Sequence, residues 1–513
     1  MRKRLGVVMV SLALAVAPAT PAVAETLPGA AESFDRVGDA MAKGDFDNDG
    51  FDDLAIGVAF EAIGSLCCAG AVDVTYGSTN GLTQTGAQLW SQDSAGIIFQ
   101  ANEGDQFGRA LATGDFDNDG FDDLAIGVPN EDAFAQDTGV VQIIYGSSTG
   151  LSATGSQAFG QTSPGIEGDP EAGDRFGSAL TAGDIDGDGF DDLAIGVPDE
   201  SIGGVSKVGA TNVIYGTSSG LNATGDQLWH QGLDDVLDDS ETGDRFGFAL
   251  AAADYDGDGF DDLAIGVPFE GLSGGSQAGA VNVLYGSSSG LTGSGDQFWN
   301  QDVRGGRSTG GDRYGLSLAA ANFGKSSHAD LAIGIPEYDP FAASSAGGVN
   351  VVYGSPTGLT VGGNQVWFQR FDGIEGDGEV GDRFGAALAA ANFGNSSHAD
   401  LAVGVPSDSL AGVDDVGMVN VIFGSSTGLA AAGDELWHQN ITGIGDSAER
   451  FDNLGAALAA GNFGKSVQAD LAIGVPLEDF GTPNRQDAGL VNVIYGASDG
   501  LSNSGDQVWT QGL

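Results

Sequence analysis

The fifteen residues GDFDNDGFDDLAIGV stand at 44–58 and again, letter for letter, at 114–128. Aligning the chain with itself extends the match to seven copies: the loop that begins at Asp45 recurs at Asp115, Asp184 and Asp254, and then with altered chemistry at Asn322, Asn392 and Asn462, at spacings of 68 to 70 residues. A period of this length constrains a chain more than any composition does. Each copy is one unit of supersecondary structure, too small to bury its own apolar face, so neighbouring units must cover one another.

Every unit carries four short apolar segments separated by turn signals. In the third they are FGSALTAGD from Phe176, DLAIGVP from Asp192, GATNVIYG from Gly209 and DQLWHQ from Asp226. Segments this short, bounded by Gly, Pro, Asp or Ser, read as strands rather than helices. SALTAG offers small side chains suited to a crowded axis, DLAIGV is apolar throughout as a strand covered on both faces must be, and QLWHQ alternates as a half-exposed outer strand does. Trp90, Trp229, Trp299, Trp367, Trp437 and Trp509 occupy that last segment, with Phe159 in the second unit. The order predicts an all-β fold, a seven-bladed β-propeller of four-stranded antiparallel blades, at about 34–103, 104–172, 173–242, 243–310, 311–380, 381–450 and 451–513. A solenoid is the competing architecture, but it needs distinct caps at both ends. Here the first unit begins at its inner strand near Val37 and the seventh ends on its outer strand at Gly512.

Arg2-Lys3-Arg4, the apolar run Leu5 to Ala17 and then Ala22-Val23-Ala24 form the pattern of a secretory leader, cleaved near Ala24. The run is too short for a membrane anchor, since a bilayer core requires about 20 apolar residues. Residues 1–24 are therefore read as a signal peptide, 25–33 as a short N-terminal segment and 34–513 as the propeller. Loss of the three leading cations would take the formal charge from −54 to −57. Nucleic acid and anionic lipid are poor partners for such a surface, and no membrane insertion is expected. The apolar content of 41% argues against disorder. Cys67 and Cys68 are the only cysteines. Being adjacent, they are a vicinal disulfide or two thiols, and cannot staple distant segments.

Five carboxylates within nine residues repel one another unless a cation sits among them. In DFDNDGFDD, Asp45, Asp47, Asp49 and Asp53 fall at positions 1, 3, 5 and 9, Gly50 permits the bend at position 6, and the carbonyl of Phe51 adds an oxygen at position 7. Hard oxygen donors alternating along a tight turn suit Ca²⁺, whereas Mg²⁺ retains waters and a transition metal calls for His or Cys. The fifth carboxylate, Asp52, is expected to face solvent. Only the first half of the loop is like an EF-hand, because position 12 is Ile56 and the flanking segments are strands. The corresponding ligands are Asp115, Asp117, Asp119, Phe121 and Asp123; Asp184, Asp186, Asp188, Phe190 and Asp192; and Asp254, Asp256, Asp258, Phe260 and Asp262. In units five to seven, NFGKSSHAD, NFGNSSHAD and NFGKSVQAD keep only the last carboxylate, while Lys325 and Lys465 bring a cation into the turn, which side-chain hydrogen bonds can close instead. The expectation is four Ca²⁺ ions, in units one to four.

Phe176-Gly177 opening the unit, the Asp-x-Asp-x-Asp-Gly-x-x-Asp loop and Gly209-Ala210 before a strand resemble FG-GAP repeats, the units of the integrin α-chain N-terminal β-propeller. Phe107-Gly108, Phe246-Gly247, Phe384-Gly385 and Tyr314-Gly315 repeat the opening pair, with Val37-Gly38 and Leu454-Gly455 as looser versions. The resemblance covers about residues 34 to 512. It implies a seven-bladed propeller with calcium in its hairpin loops and a role in adhesion or extracellular recognition. Without leg domains, an inserted ligand-binding domain or a later membrane span, the expectation is a free-standing secreted propeller of bacterial type, extracellular or cell-surface associated, rather than a signalling receptor. The first residues show no clear strand pattern to complete the last blade.

In such a blade the metal loops and the near-identical GSSTGL turns at Gly146 and Gly424 share one face. The loops from Pro129, Pro198, Pro336 and Pro476 and the connector from His230 differ between units and share the other. Variable loops on a rigid ring are where a propeller binds. The leading reading is thus a monomeric binding or adhesion module for an extracellular protein or glycan. The rivals are a hydrolase or lyase acting on carbohydrate or phosphodiester, and a purely structural envelope protein. No catalytic residue is assigned: His230 and His438 recur beside the rim tryptophans, His328 and His398 recur in the degenerate loops, and each pair is a repeat element. The Asp-Arg pairs at Asp174-Arg175, Asp244-Arg245, Asp312-Arg313 and Asp382-Arg383 are read as structural pairing between blades.

Overall fold

The computed structural model describes residues 24–233, 235–272, 275–303, 308–340, 344–370, 373–479 and 485–512. Residues 1–23, which carry all but the last residue of the expected leader, lie outside them, as do parts of the connector from His230 and of the loops from Pro336 and Pro476. The described residues form twenty-nine strands and no α-helix. They make seven sheets, six of four strands and one of five. The third blade is typical: Ala179–Gly183, Asp192–Val197, Ala210–Tyr215 and Asn222–Trp229 run antiparallel in chain order from axis to rim. Inner strands of successive blades lie side by side, and Ala40–Gly44 of the first meets Leu458–Gly461 of the last. The seven-bladed propeller is therefore a closed ring.

The core lies between blades. Every residue of the second strands Asp123–Val128 and Asp192–Val197 is buried, because the sheets before and after cover both faces. Leu124, Ile126 and Val128 of the second blade, for example, pack with Val72, Val74 and Phe46 of the first. The rim tryptophans face this inter-blade core rather than solvent: Trp509 is fully buried and Trp437 packs in the cluster with Leu471 and Ile473 of the next blade. Small inner-strand residues such as Ala110, Ala179 and Ala249 line an axial channel of about 300 Å³.

Two sequence signatures are halves of one contact. A Cβ on Gly127, in the second strand, would stand 2.1 Å from the carbonyl oxygen of Gly177, in the Phe-Gly pair of the next blade. The same close approach joins Gly57 to Gly108 and, across the closing seam, Gly474 to Gly38. Only glycine leaves room for backbone at that distance. At the rim, the Leu151 N–H donates to the Tyr76 hydroxyl at 3.0 Å and Gln88 Nε2 donates to the Leu151 carbonyl at 2.9 Å. Tyr495, Gln507 and Leu82 repeat this at the closing seam, each bond at 3.0 Å. In the sixth blade Phe423 has no hydroxyl, and the Leu501 N–H donates to Glu435 at 3.2 Å instead.

The N-terminal segment departs from expectation. Ala24–Ala30 is a strand that pairs in parallel with the outer strand Gly500–Gly512, giving the last blade its fifth member. Leu27 is buried against the core of that seam, and the Gly29 N–H donates to Asp73 of the first blade at 3.0 Å. Pro28, which lacks an N–H, falls where the register shifts between Leu27 and Ala30, a position open to it on an edge strand. Cys67 and Cys68 are bonded to each other.

Candidate metal centres and the opposite face

Each acidic loop joins an inner strand to a second strand, and its own backbone folds it. Asp45 accepts from Asp49 N at 3.0 Å and Gly50 N at 3.0 Å. Asp115 and Asp254 accept from the equivalent amides of their own loops. Position 4 has a left-handed backbone in all seven loops, as Asn48, Asn118, Gly187, Gly257, Lys325, Asn395 and Lys465. This turn brings carboxylate oxygens of Asp45, Asp47 and Asp53 within 4.8 Å of one another, and likewise those of Asp115, Asp117 and Asp123, and of Asp184, Asp186 and Asp192. The chemistry of these donors fits a hard divalent cation. So do Asp117 Oδ1 and Asp184 Oδ1, which are buried and accept no hydrogen bond. Asp49 turns elsewhere: its Oδ1 accepts from Phe51 N at 3.0 Å, as Asp119 and Asp188 do from Phe121 N and Phe190 N.

The residue at position 9 has a second role that sequence reasoning missed. Asp53 is fully buried, accepting from Phe46 N at 2.8 Å and from Gly77 N, in the turn between third and outer strands, at 2.8 Å. Asp123, Asp192 and Asp262 do the same, and so do Asp330, Asp400 and Asp470 of the degenerate loops. This carboxylate fastens the two hairpin turns of one face together in every blade. Its survival where the other carboxylates are gone was the available signal. Burial pushes the Asp53 carboxyl up to about 8, against the two amide bonds and with a further rise from Asp47 and Asp45. Asp400, without those neighbours, is raised to about 7.

The fifth carboxylate does not face solvent. Asp122 accepts from Asp45 N of the preceding blade at 2.9 Å, Asp191 accepts from Asp115 N at 2.9 Å, and Asp52 makes the same contact across the closing seam, accepting from Asn462 N at 2.6 Å. All three are half-buried. Each holds the first residue of its neighbour's loop, a contact between units that the sequence of one unit does not display.

In the degenerate loops, side-chain hydrogen bonds close the turn. Asn322 Nδ2 donates to the Ser326 carbonyl at 3.0 Å, its Oδ1 accepts from Gly324 N at 2.9 Å, and Ser326 Oγ donates to the Gly354 carbonyl at 3.2 Å. Asn392 and Ser396 repeat all three. The lysines do not enter the turn as expected. Lys325 and Lys465 lie over the rings of Tyr353 and Tyr495, each 3.5 Å from the centroid, and donate to the carbonyls of Gly363 and Gly505. The aromatic face and the carbonyl are better partners than a single buried carboxylate already holding two amides.

The opposite face repeats a different cluster. Glu200, buried, accepts from Gln161, while Asp174 caps the Glu171 N–H. Carboxylate oxygens of the three acids lie within 4.8 Å of one another. Burial, and then Asp174, raises Glu200 to about 8. Glu478, fully buried and bonded by Gln439 at 2.7 Å, is raised to about 9 by burial and by Asp452 and Asp446. His230 and His438 are held below their ordinary pKa by burial. The Asp-Arg neighbours do not pair with each other. Arg175 and, from the next blade, Arg245 reach Asp199, and Arg313 and Arg383 reach Glu337.

The FG-GAP repeat family matches residues 37–75, 107–144, 176–215 and 246–284, the first four blades. Phosphatidylinositol-glycan-specific phospholipase D of Rattus norvegicus is 34% identical over 181 residues, 35% of this chain and 20% of that protein. Integrin alpha-PS2 of Drosophila melanogaster is 28% identical over 215 residues, 41% of this chain and 13% of that one, and integrin alpha-5 of Xenopus laevis is 31% identical over 251 residues, 46% and 20%. The matched stretches thus span a fifth or less of these relatives' lengths. Among solved structures, the exotype rhamnogalacturonan lyase YesX aligns over 94% of this chain and 75% of its own, at 10% identity and a TM-score of 0.39.

Proposed function

We propose that this propeller, which carries four FG-GAP repeats and is similar in sequence to integrin alpha chains, is a secreted binding module: one Ca²⁺ in each of its first four blades stiffens one face, and the variable loops of the other face engage an extracellular protein or glycan. The observation that carries the reading is the convergence of Asp45, Asp47 and Asp53 and their counterparts, set against the loops of blades five and six, where Asn322, Ser326, Asn392 and Ser396 form hydrogen bonds in place of an ion. Asp45, Asp47 and Asp53 would hold the first ion, with the Phe51 carbonyl adding a further oxygen. Its chemistry would be charge neutralisation, which offsets the burial and, after it, the mutual repulsion that raise these carboxyl groups.

Ion counting by mass spectrometry under native conditions tests the metal half. Four Ca²⁺ are expected in the parent, three in Asp47→Ala and four in Ser326→Ala; no bound ions, or ions lost equally from both variants, would refute it. A glycan and protein array read with and without calcium tests the other half. Retention without turnover supports binding, whereas release of product assigns the protein to the hydrolase or lyase reading, toward which its similarity to a phospholipase D points.

A further inference from the structure

The chain has 18 Lys and Arg against 72 Asp and Glu, yet six of its arginines, Arg36, Arg109, Arg175, Arg245, Arg313 and Arg383, stand in or beside the Phe-Gly elements that open the blades. Those elements lie at the end of the inner strands away from the metal loops. Over blades one to four the space between them is a cavity of about 450 Å³, lined by Arg109, Arg175, Arg245, Phe60, Phe248 and Asn130 among others. Arg109, Ser178 and Phe248 on its wall are followed directly in the chain by Ala110, Ala179 and Ala249 of the axial channel. The cavity is therefore the mouth of the channel on the variable-loop face.

Its cations exceed what its anions need. Asp199, buried at the wall, receives Arg175 at 3.4 Å, Lys207 at 3.3 Å and Arg245 at 3.0 Å, and Arg109 reaches Asp39 at 3.3 Å. Three arginines and a single carboxylate, Asp199, line the cavity, in a molecule whose net charge is −54. The side chains of Arg109 and Arg175 remain 46% and 48% exposed, and each uses one terminal nitrogen of its planar fork.

We infer that this mouth is a subsite for a sugar acid, a carboxylate carried on a hydroxylated ring. The inference rests on reading this face as the binding face. Open guanidinium forks of Arg109 and Arg175 receive the carboxylate in bidentate fashion. Gln106, Asn130 and Ser178, also on the wall, supply donors and acceptors for hydroxyl groups, while Phe60 and Phe248 offer apolar surface to the ring. An acidic peptide would use the forks alone and would leave the polar wall residues Gln106, Asn130 and Ser178 and the two rings unused.

Isothermal titration of the full chain in calcium with trigalacturonate, neutral galactotriose and hexaglutamate tests this. Trigalacturonate is expected to bind, more weakly as salt rises, with about a tenfold or greater loss in Arg175→Ala and in Arg109→Ala, a partial loss in Arg175→Lys, and no change in Arg450→Ala, as expected for charge-assisted bonds. Arg109→Ala guards against misfolding, since its one ion pair among the described residues is half-exposed. Absence of trigalacturonate binding, equal uptake of galactotriose, preference for hexaglutamate, or indifference to both alanine variants would overturn the assignment. An array ligand retained by the parent and equally by Arg175→Ala would overturn it while leaving the binding reading intact; an array with no ligand at all would remove both.

Discussion

Asp400→Ala separates the structural part of the loops from the calcium part. Asp400 is fully buried and accepts from Phe393 N at 2.9 Å and Gly424 N at 2.8 Å. Removing it strands two buried amides, each worth about 1–3 kcal/mol when left unpaired. The carboxyl group is itself costly to bury, being raised to about 7, so the lower part of the range, about 3 kcal/mol in all, is the expected loss. At about 2.1 cal/mol/K per residue, the unfolding entropy of 513 residues is about 1.1 kcal/mol/K, and the Tm should fall by about 3 °C. The assay is calorimetry in calcium and in EGTA. Asp400→Ala should lose the same increment in both, because its loop keeps no other carboxylate. Asp123→Ala, which strands the equivalent amides in an acidic loop, should lose more in calcium than in EGTA, since a ligand that binds only the native state stabilises it. A calcium-dependent shift for Asp400→Ala, or none at all, would defeat the argument.

Two further outcomes follow from other parts of the ring. Gly127→Ala would place a Cβ 2.1 Å from the Gly177 carbonyl oxygen, backbone against backbone, and should prevent the second and third blades from seating; a soluble variant with parental Tm would contradict the inter-blade contact. Glu478 has a folded pKa of about 9, raised by burial and by Asp452. A raised carboxyl contributes most below its unfolded value near 4.5, and that contribution is lost as pH climbs through about 9. Glu478→Gln should therefore match the parent near pH 5 and exceed its stability by on the order of a few kcal/mol near pH 9, which chemical unfolding at the two pH values would read; a constant difference would be the contrary result.

Sequence carried the architecture because each unit announces itself through local rules. Alternation, turn residues and the all-apolar DLAIGV place the strands of every blade, and repetition makes the ring. The Asp-x-Asp-x-Asp-Gly turn was legible for the same reason, since its bonds run within the loop. What escaped runs between units. Asp52 reads as surplus until Asn462 is beside it, and the pairing expected between blades gains its partner only when Asp199 is found receiving Arg175 and Arg245. Ala24–Ala30 has neither alternation nor a turn to its partner; it pairs in parallel at an edge, with Pro28 in its middle, and no local signal marks such a strand. Asp330, Asp400 and Asp470 were visible as survivors, but survival alone does not say that two amides from different turns converge on one carboxylate.

The pairing of Leu27 with Gln511 makes the fold a padlock whose shackle and body are made at opposite times during synthesis. Blades can seat one upon another as they emerge, each giving the next a surface to grow on, but the first stays bare along one flank and the opening ribbon stays untethered until the final rungs are translated. Joining positions this remote carries the largest loop-closure entropy in the molecule and the highest contact order. Ring closure therefore waits on the C-terminal strand, and the unclosed crescent, with its exposed margins, is the form most open to misassembly.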